Sequence, residues 1–334
     1  MSKKIFIILA VFFMAALTAS LGIGRYAIQP AEVASIFLSY LGCNGYLSPV
    51  PPEMYQIFMN IRLPRIIMSF AIGGGISIAG AVFQGVFRNP LAAPDILGVK
   101  FGAAFGAALG IVFLPQASIG IFGLAFVFGL LAVLSAYLLA QYSYDPSATV
   151  LVIAGIVVSS LFQAALTIVL YLADPYDKLA QITFWLMGSF HAISWAKVPF
   201  TLTVIAAASL FICLFSWRLN IMTLSDEEAL SLGVPVFRWR MIYIFFSTLI
   251  AASAVAVVGV VQWVSLIVPH IARRLVGAEH RLLIPVTGIL GGTFMLLMDT
   301  LARSLLIAEI PISIVTSVLG APFLAYLLLR HNKG

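Results

Sequence analysis

The sequence runs again and again for about twenty residues without a single charged side chain; residues 5–24 and 198–217 are two such stretches. A helix of that length matches the hydrocarbon thickness of a bilayer. Ordinary soluble domains are about 25% charged. Here charged residues make up 9% of 334 residues and hydrophobic ones 62%. So few charges cannot coat a water-facing surface, which excludes a soluble enzyme, a disordered chain and a nucleic-acid reader. The long continuous runs also exclude an outer-membrane barrel, whose strands alternate over about ten residues. The expected class is an all-α polytopic membrane protein, with residues 1–334 forming one transmembrane domain.

Cutting the chain at charges, prolines and turn clusters predicts ten spans, at 5–24, 62–87, 96–114, 118–141, 149–172, 197–217, 241–261, 263–276, 282–302 and 312–330. A polar stretch with Pro30, Pro49, Pro51 and Pro52 reads as a connector over 25–61, and 180–190 reads as a partial helix. Asn89-Pro90 and Pro269 interrupt the chain early in the second and the seventh-to-tenth groups of spans. That correspondence points to inverted repeats of helices 2–5 and 7–10 about a central pathway. Gly102, Gly106 and Gly110 share one helix face, where small residues let helices approach closely.

Lys3 and Lys4 precede the first apolar run, which is longer than a signal-peptide core and lacks a clear cleavage site, so it reads as a retained span. Ten spans put both termini on one side. With that side cytoplasmic, twelve of the 18 Lys and Arg lie inside, and Arg25, Arg62, Arg65, Lys178, Lys197 and Arg303 lie outside. The asymmetry obeys the positive-inside rule. The outside cations then need a reason of their own. The two cysteines, Cys43 and Cys213, form no CxxC pair and read as small apolar residues.

Catalytic motifs are missing. The sequence has no HExxH, no GxSxG and no phosphate loop, so an ATP site of its own is not expected. Asp299 is the clearest ionisable group within a span, and Arg303 follows it by four residues, which reads first as a self-neutralised pair. An ion-coupled secondary transporter would use more acids of this kind; it stands as the alternative reading. The polar segment 219–239 holds a capping box, Ser225 with Glu228, followed by Ala229, Leu230 and Leu232. Gly233 supplies a left-handed stop, and Pro235 can open a second short helix. This short apolar helix has no local core, so a partner subunit is its natural cover.

In their order and spacing, several motifs resemble one family. They are Arg62-Leu63-Pro64-Arg65, Gly80-Ala81-Val82-Phe83-Gln84, Asn89-Pro90-Leu91-Ala92, Pro94-Asp95-Ile96-Leu97-Gly98-Val99 and Trp185-Leu186-Met187-Gly188-Ser189. Val268-Pro269-His270, Asp299-Thr300-Leu301-Ala302-Arg303, Glu309-Ile310-Pro311 and Leu319-Gly320-Ala321-Pro322 continue the set. The chain resembles the permease subunits of ABC importers for iron chelates, haem and vitamin B12. That resemblance implies a homodimer in the bacterial inner membrane, two ATP-binding subunits on the cytoplasmic side and a periplasmic or lipid-anchored substrate-binding protein outside. ATP and Mg would be bound by the partner ATPase, with no cofactor in this chain. Position by position, it implies that Arg62, Arg65 and Arg303 dock the binding protein. Ala229 to Gly233 would sit in a cleft of the ATPase, and Ser147, Ala148 and Thr149 would belong to the cytoplasmic gate. The cargo is expected to be a metal chelate, with molybdate-type oxoanions carried by some relatives. His191, beside the Trp185 to Ser189 motif, reads as a structural or interfacial residue.

Overall fold

The computed structural model describes residues 2–40, 50–114, 118–143 and 147–331. Cys43, Pro49, the Tyr144-Asp145-Pro146 break and Lys333 lie outside the described residues. The described chain is helical throughout. In order, the helices are α1 (Ser2–Gly22), α2 (Pro30–Tyr40), α3 (Pro52–Gln56), α4 (Leu63–Val86), α5 (Val99–Phe113), α6 (Ser118–Gln141) and α7 (Ala148–Leu172). They continue as α8 (Lys178–Met187), α9 (Val198–Met222), α10 (Asp226–Ser231), α11 (Val236–Val258), α12 (Val264–Val276), α13 (His280–Ser304) and α14 (Ile312–His331).

All ten predicted spans are helices, and the partial helix is α8. Among the described residues, seven helical stretches are long and apolar enough to cross a membrane; α5 and the Ile312–Tyr326 part of α14 are shorter apolar stretches. The 13-residue α12 keeps Pro269 inside it.

Several predicted boundaries move. The connector 25–61 contains α2 and α3, because Pro30 and Pro52 stand at helix starts, where a missing N–H costs nothing. From Pro52 the helix is continuous to Val86, widened to a π-turn over Ile57–Arg62. Pro64 explains the widening, since it has no N–H for the carbonyl four residues back. Pro235 opens no separate short helix; it is the N-cap of the long α11, which starts at Val236 and ends at Val258. Likewise α9 runs on to Met222, past Arg218, whose guanidinium lies over the Trp239 ring at 3.8 Å. Stacking there lets the cation continue an apolar helix.

Helix α4 is the axis of the fold and packs against α9, α11, α12 and α13. Glycine makes this possible. A Cβ at Gly80 would stand 1.9 Å from the Ser265 carbonyl oxygen, and one at Gly73 would stand 2.2 Å from Met295 Cβ. The predicted stripe behaves alike: Gly102 and Gly106 face the Phe128 and Leu124 carbonyls of α6, each at 2.4 Å from an added Cβ. The halves exchange partners in register. The first helix of one half, α4, packs on α13, the third of the other; α11 packs on α6 in the same way. That reciprocity fits two repeats related by a pseudo-two-fold axis.

Candidate functional site

Charge gathers at the two ends of the bundle. At one end, α4 and α13 bring Arg65 and Asp299 together. Arg65 Nε donates to both carboxylate oxygens of Asp299, at 2.9 and 3.1 Å, and its Nη1 donates to Glu309 at 3.0 and 3.1 Å. A guanidinium meets two carboxylates this way because its donors form a fixed fork. The expected self-contained pair Asp299–Arg303 is looser, with Nε 3.8 Å from Oδ2. Arg303 instead donates through Nη2 to the Ser20 carbonyl and, at 3.0 Å, to the Ser20 hydroxyl. Arg62 donates to the carbonyls of Leu21 and Tyr26. These arginines therefore clamp the end of α1 onto α4 and α13.

Arg62, Arg65 and Arg303 are 4%, 6% and 6% exposed, so none is a free surface charge in this chain. Buried cations in an apolar bundle must be paired or hydrogen-bonded, and the partners are supplied from within. The exposed cation at this end is Arg25. Glu309 feels its neighbours too: partial burial pushes its carboxyl up, but the bonded Arg65 outweighs this, and its pKa falls below the ordinary value.

Beside the clamp opens a cavity of about 1050 Å³. Its lining includes the bases Arg25, Arg62 and Lys197, the acids Asp177 and Glu309, His191, and the aromatic residues Phe122, Phe184 and Trp185. Lys197 is a residue the sequence reading left unassigned among the outside cations. It is 7% exposed, and its Nζ donates to the Ala192 carbonyl at 3.2 Å. The Trp185 to Ser189 motif forms the neighbouring turn, where Ser189 N–H donates to Val258 at 2.7 Å and Ile312 N–H to Gly188 at 2.9 Å. His191 is exposed on the cavity wall.

At the other end, α10 carries the capping box read from the sequence. Ser225 Oγ accepts from Glu228 N–H at 3.2 Å, and Glu228 accepts from Ser225 N–H at 2.9 Å. Gly233 follows with φ +79°. Ala229 is buried against the bundle, whereas Leu230 and Leu232 are 59% and 61% exposed. The anchor is Asp226, the first residue of α10. Asp226 accepts from Arg240 of α11 at 3.1 Å and from Arg88, just beyond α4. Arg88 also donates to the Met222 carbonyl at 3.1 Å. Partial burial raises the Asp226 pKa, but the two arginines outweigh it and hold the carboxyl below its ordinary value.

Ser147 caps α7, its Oγ accepting from Val150 N–H at 3.4 Å. It lies near Phe237 and Arg240 at the start of α11. Ala148 and Thr149 form the first turn of α7. The start of α7 and the α10 anchor thus share one end of the bundle. Cys213 is a free, half-buried thiol packed against the core. Among the described residues no group of His, Cys, Asp and Glu could hold a metal ion.

Known proteins share this architecture. A solved chain from an inward-facing metal-chelate type ABC transporter superposes with a TM-score of 0.88 at 38% identity, covering 98% of this chain and 99% of that one. The molybdate import system permease protein MolB of Haemophilus influenzae is 38% identical over 315 residues, 94% of this chain and 92% of its own length. The iron(3+)-hydroxamate import system permease protein FhuG of Bacillus subtilis is 36% identical over 340 residues, 99% and 97% of the two chains. The family model described as the FecCD transport family matches residues 9–330, so the central α4, the arginine clamp and the capped α10 all fall within the match. This multi-pass membrane protein belongs to the FecCD transport family.

Proposed function

We propose that the chain is the membrane-spanning permease subunit of an ATP-driven importer, working as a homodimer in the bacterial inner membrane with both termini cytoplasmic. Two ATP-binding subunits bind ATP and Mg on the cytoplasmic side. A periplasmic or lipid-anchored binding protein delivers a metal chelate or an oxoanion from outside. The observation that carries this reading is α10: a capped helix with Leu230 and Leu232 exposed, held to α4 and α11 by Asp226. Such a helix offers an apolar face to a partner and a rigid link from that partner to the central helices.

Within this reading, Ser225, Glu228, Ala229, Leu230, Leu232 and Gly233 couple to the ATPase. Ser147, Ala148 and Thr149 close the path on the same side, where the start of α11 lies close by. At the outer end the burial of Arg62, Arg65 and Arg303 shifts their docking role. They hold the shape of the docking face, and Arg25 supplies its exposed charge. The ion-coupled alternative would need more intramembrane acids than this sequence has, and the clearest of them, Asp299, pairs with Arg65. The test is reconstitution: with its ATPase and binding protein in proteoliposomes, the chain supports uptake that requires ATP hydrolysis. Uptake driven by a proton gradient without ATP would overturn the reading.

A further inference from the structure

The cavity beside the clamp carries more bases than acids: Arg25, Arg62, Arg65, Lys197 and Arg303 line it with Asp177 and Glu309, and Asp177 lies 3.7 Å from Lys178. Asp299 and Glu309 together neutralise Arg65 and Arg303. Among the described residues no carboxylate lies within ion-pair distance of Arg62, Lys197 or Arg25. All three line the same cavity of about 1050 Å³. Two of them, Arg62 and Lys197, are more than nine-tenths buried. Arg62 has backbone carbonyls for partners, and Lys197 has only the Ala192 carbonyl, although an ammonium carries three donors. A buried cation without a counter-ion is costly, and more so in a cavity that Phe184 and Trp185 also line. An anion entering the cavity would relieve that cost and be held by donors already in place.

We propose that this cavity is an anion-binding vestibule at the mouth of the path, in which Lys197, Arg62 and Arg25 hold a multiply charged oxyanion before translocation. The ligand chemistry is several negative oxygens on a small body, found in a tetrahedral oxoanion and in a carboxylate metal chelate alike. The apolar part of the lining leaves the anion loosely held, so the vestibule screens charge rather than shape. This rests on the permease reading for its direction of transport. Its test needs neither the ATPase nor uptake, so the two can fail separately.

The experiment is equilibrium binding to the full chain in lipid nanodiscs at low salt, with molybdate, ferric citrate and a neutral ferric hydroxamate as probes. Saturable binding of molybdate or ferric citrate, but not of the neutral chelate, is expected. Molybdate alone identifies an oxoanion site, ferric citrate alone a carboxylate-chelate site, and both support the vestibule. Lys197→Met removes one cation at nearly constant volume and should weaken binding about tenfold or more, while Lys197→Arg restores it. Thermal unfolding of both variants checks that the fold is intact. Should Lys197→Met unfold, Arg25→Gln at the exposed edge must weaken the same binding. Equal binding of the neutral chelate, no binding by the parent chain, or folded variants that bind as it does would overturn the proposal.

Discussion

Arg65 of α4 and Asp299 of α13 meet at 2.9 Å, Nη2 to Oδ1, across 234 residues of sequence. The bridge is buried on both sides, and Glu309 caps its free face. It fastens the two most closely packed helices of the two halves at one end of the bundle.

Breaking that bridge should be expensive. Asp299→Asn keeps the shape but leaves Arg303 without a carboxylate to face and Arg65 with Glu309 alone. Removing one partner of a buried pair costs on the order of 3–5 kcal/mol. The expected outcome is a clear fall in thermal unfolding temperature in detergent or lipid. An unchanged unfolding temperature would show the pair to be dispensable.

The anchor of α10 has a pH signature. Both relevant carboxyls are held below their ordinary values: Asp226 by Arg88 and Arg240 against partial burial, Glu228 first by the Ser225 backbone N–H and then by its hydroxyl. A depressed native pKa contributes stability that is present above the unfolded value and lost as pH falls through the native one. Backbone hydrogen exchange over Asp226–Ser231, corrected for intrinsic rates, should stay flat from about pH 7 to about pH 5 and increase only in stronger acid. Asp226→Asn should raise exchange at neutral pH without changing the span helices.

Leu230 is exposed on a helix whose fold does not need it. Leu230→Asp should therefore leave the unfolding temperature in place and abolish ATP-driven uptake, with ATP hydrolysis no longer linked to transport. Normal uptake by this variant would remove α10 from the coupling path. Ser225→Ala attacks the same helix through its cap and should loosen it by about 1 kcal/mol, measurable as faster exchange.

The outer end separates docking from folding. Arg25→Glu reverses an exposed charge and should slow association of the binding protein at low salt while the chain stays folded. Arg62→Glu, by contrast, places an acid against the Leu21 and Tyr26 carbonyls and should lower the unfolding temperature before docking can be measured. Surface plasmon resonance with varied salt, beside thermal unfolding, distinguishes the two. Equal stability for both variants would contradict the clamp.

How much of this was legible in the sequence depends on the range of the interaction. The spans, the glycine stripe at Gly102 and Gly106, and the Ser225–Glu228 cap all follow from residues a few positions apart. The prolines at 30 and 52 misled the connector because a proline halts a helix from within and starts one at its first turn. Lys197 and Asp226 gave no local sign of their surroundings.

The sequence by itself determined the class: too little charge for water, runs long enough for a bilayer, and one capped helix outside them. It also determined the family, through motifs spread over nearly the whole chain. The partners of its charges were decided only by the tertiary structure. Asp299 has Arg303 one turn away, yet it binds Arg65 at 2.9 Å while Arg303 Nε stays at 3.8 Å. The physical reason is geometric. A guanidinium's fork finds two carboxylates only where separate helices converge, and glycine contacts such as Gly73 on Met295 bring α4 and α13 that close.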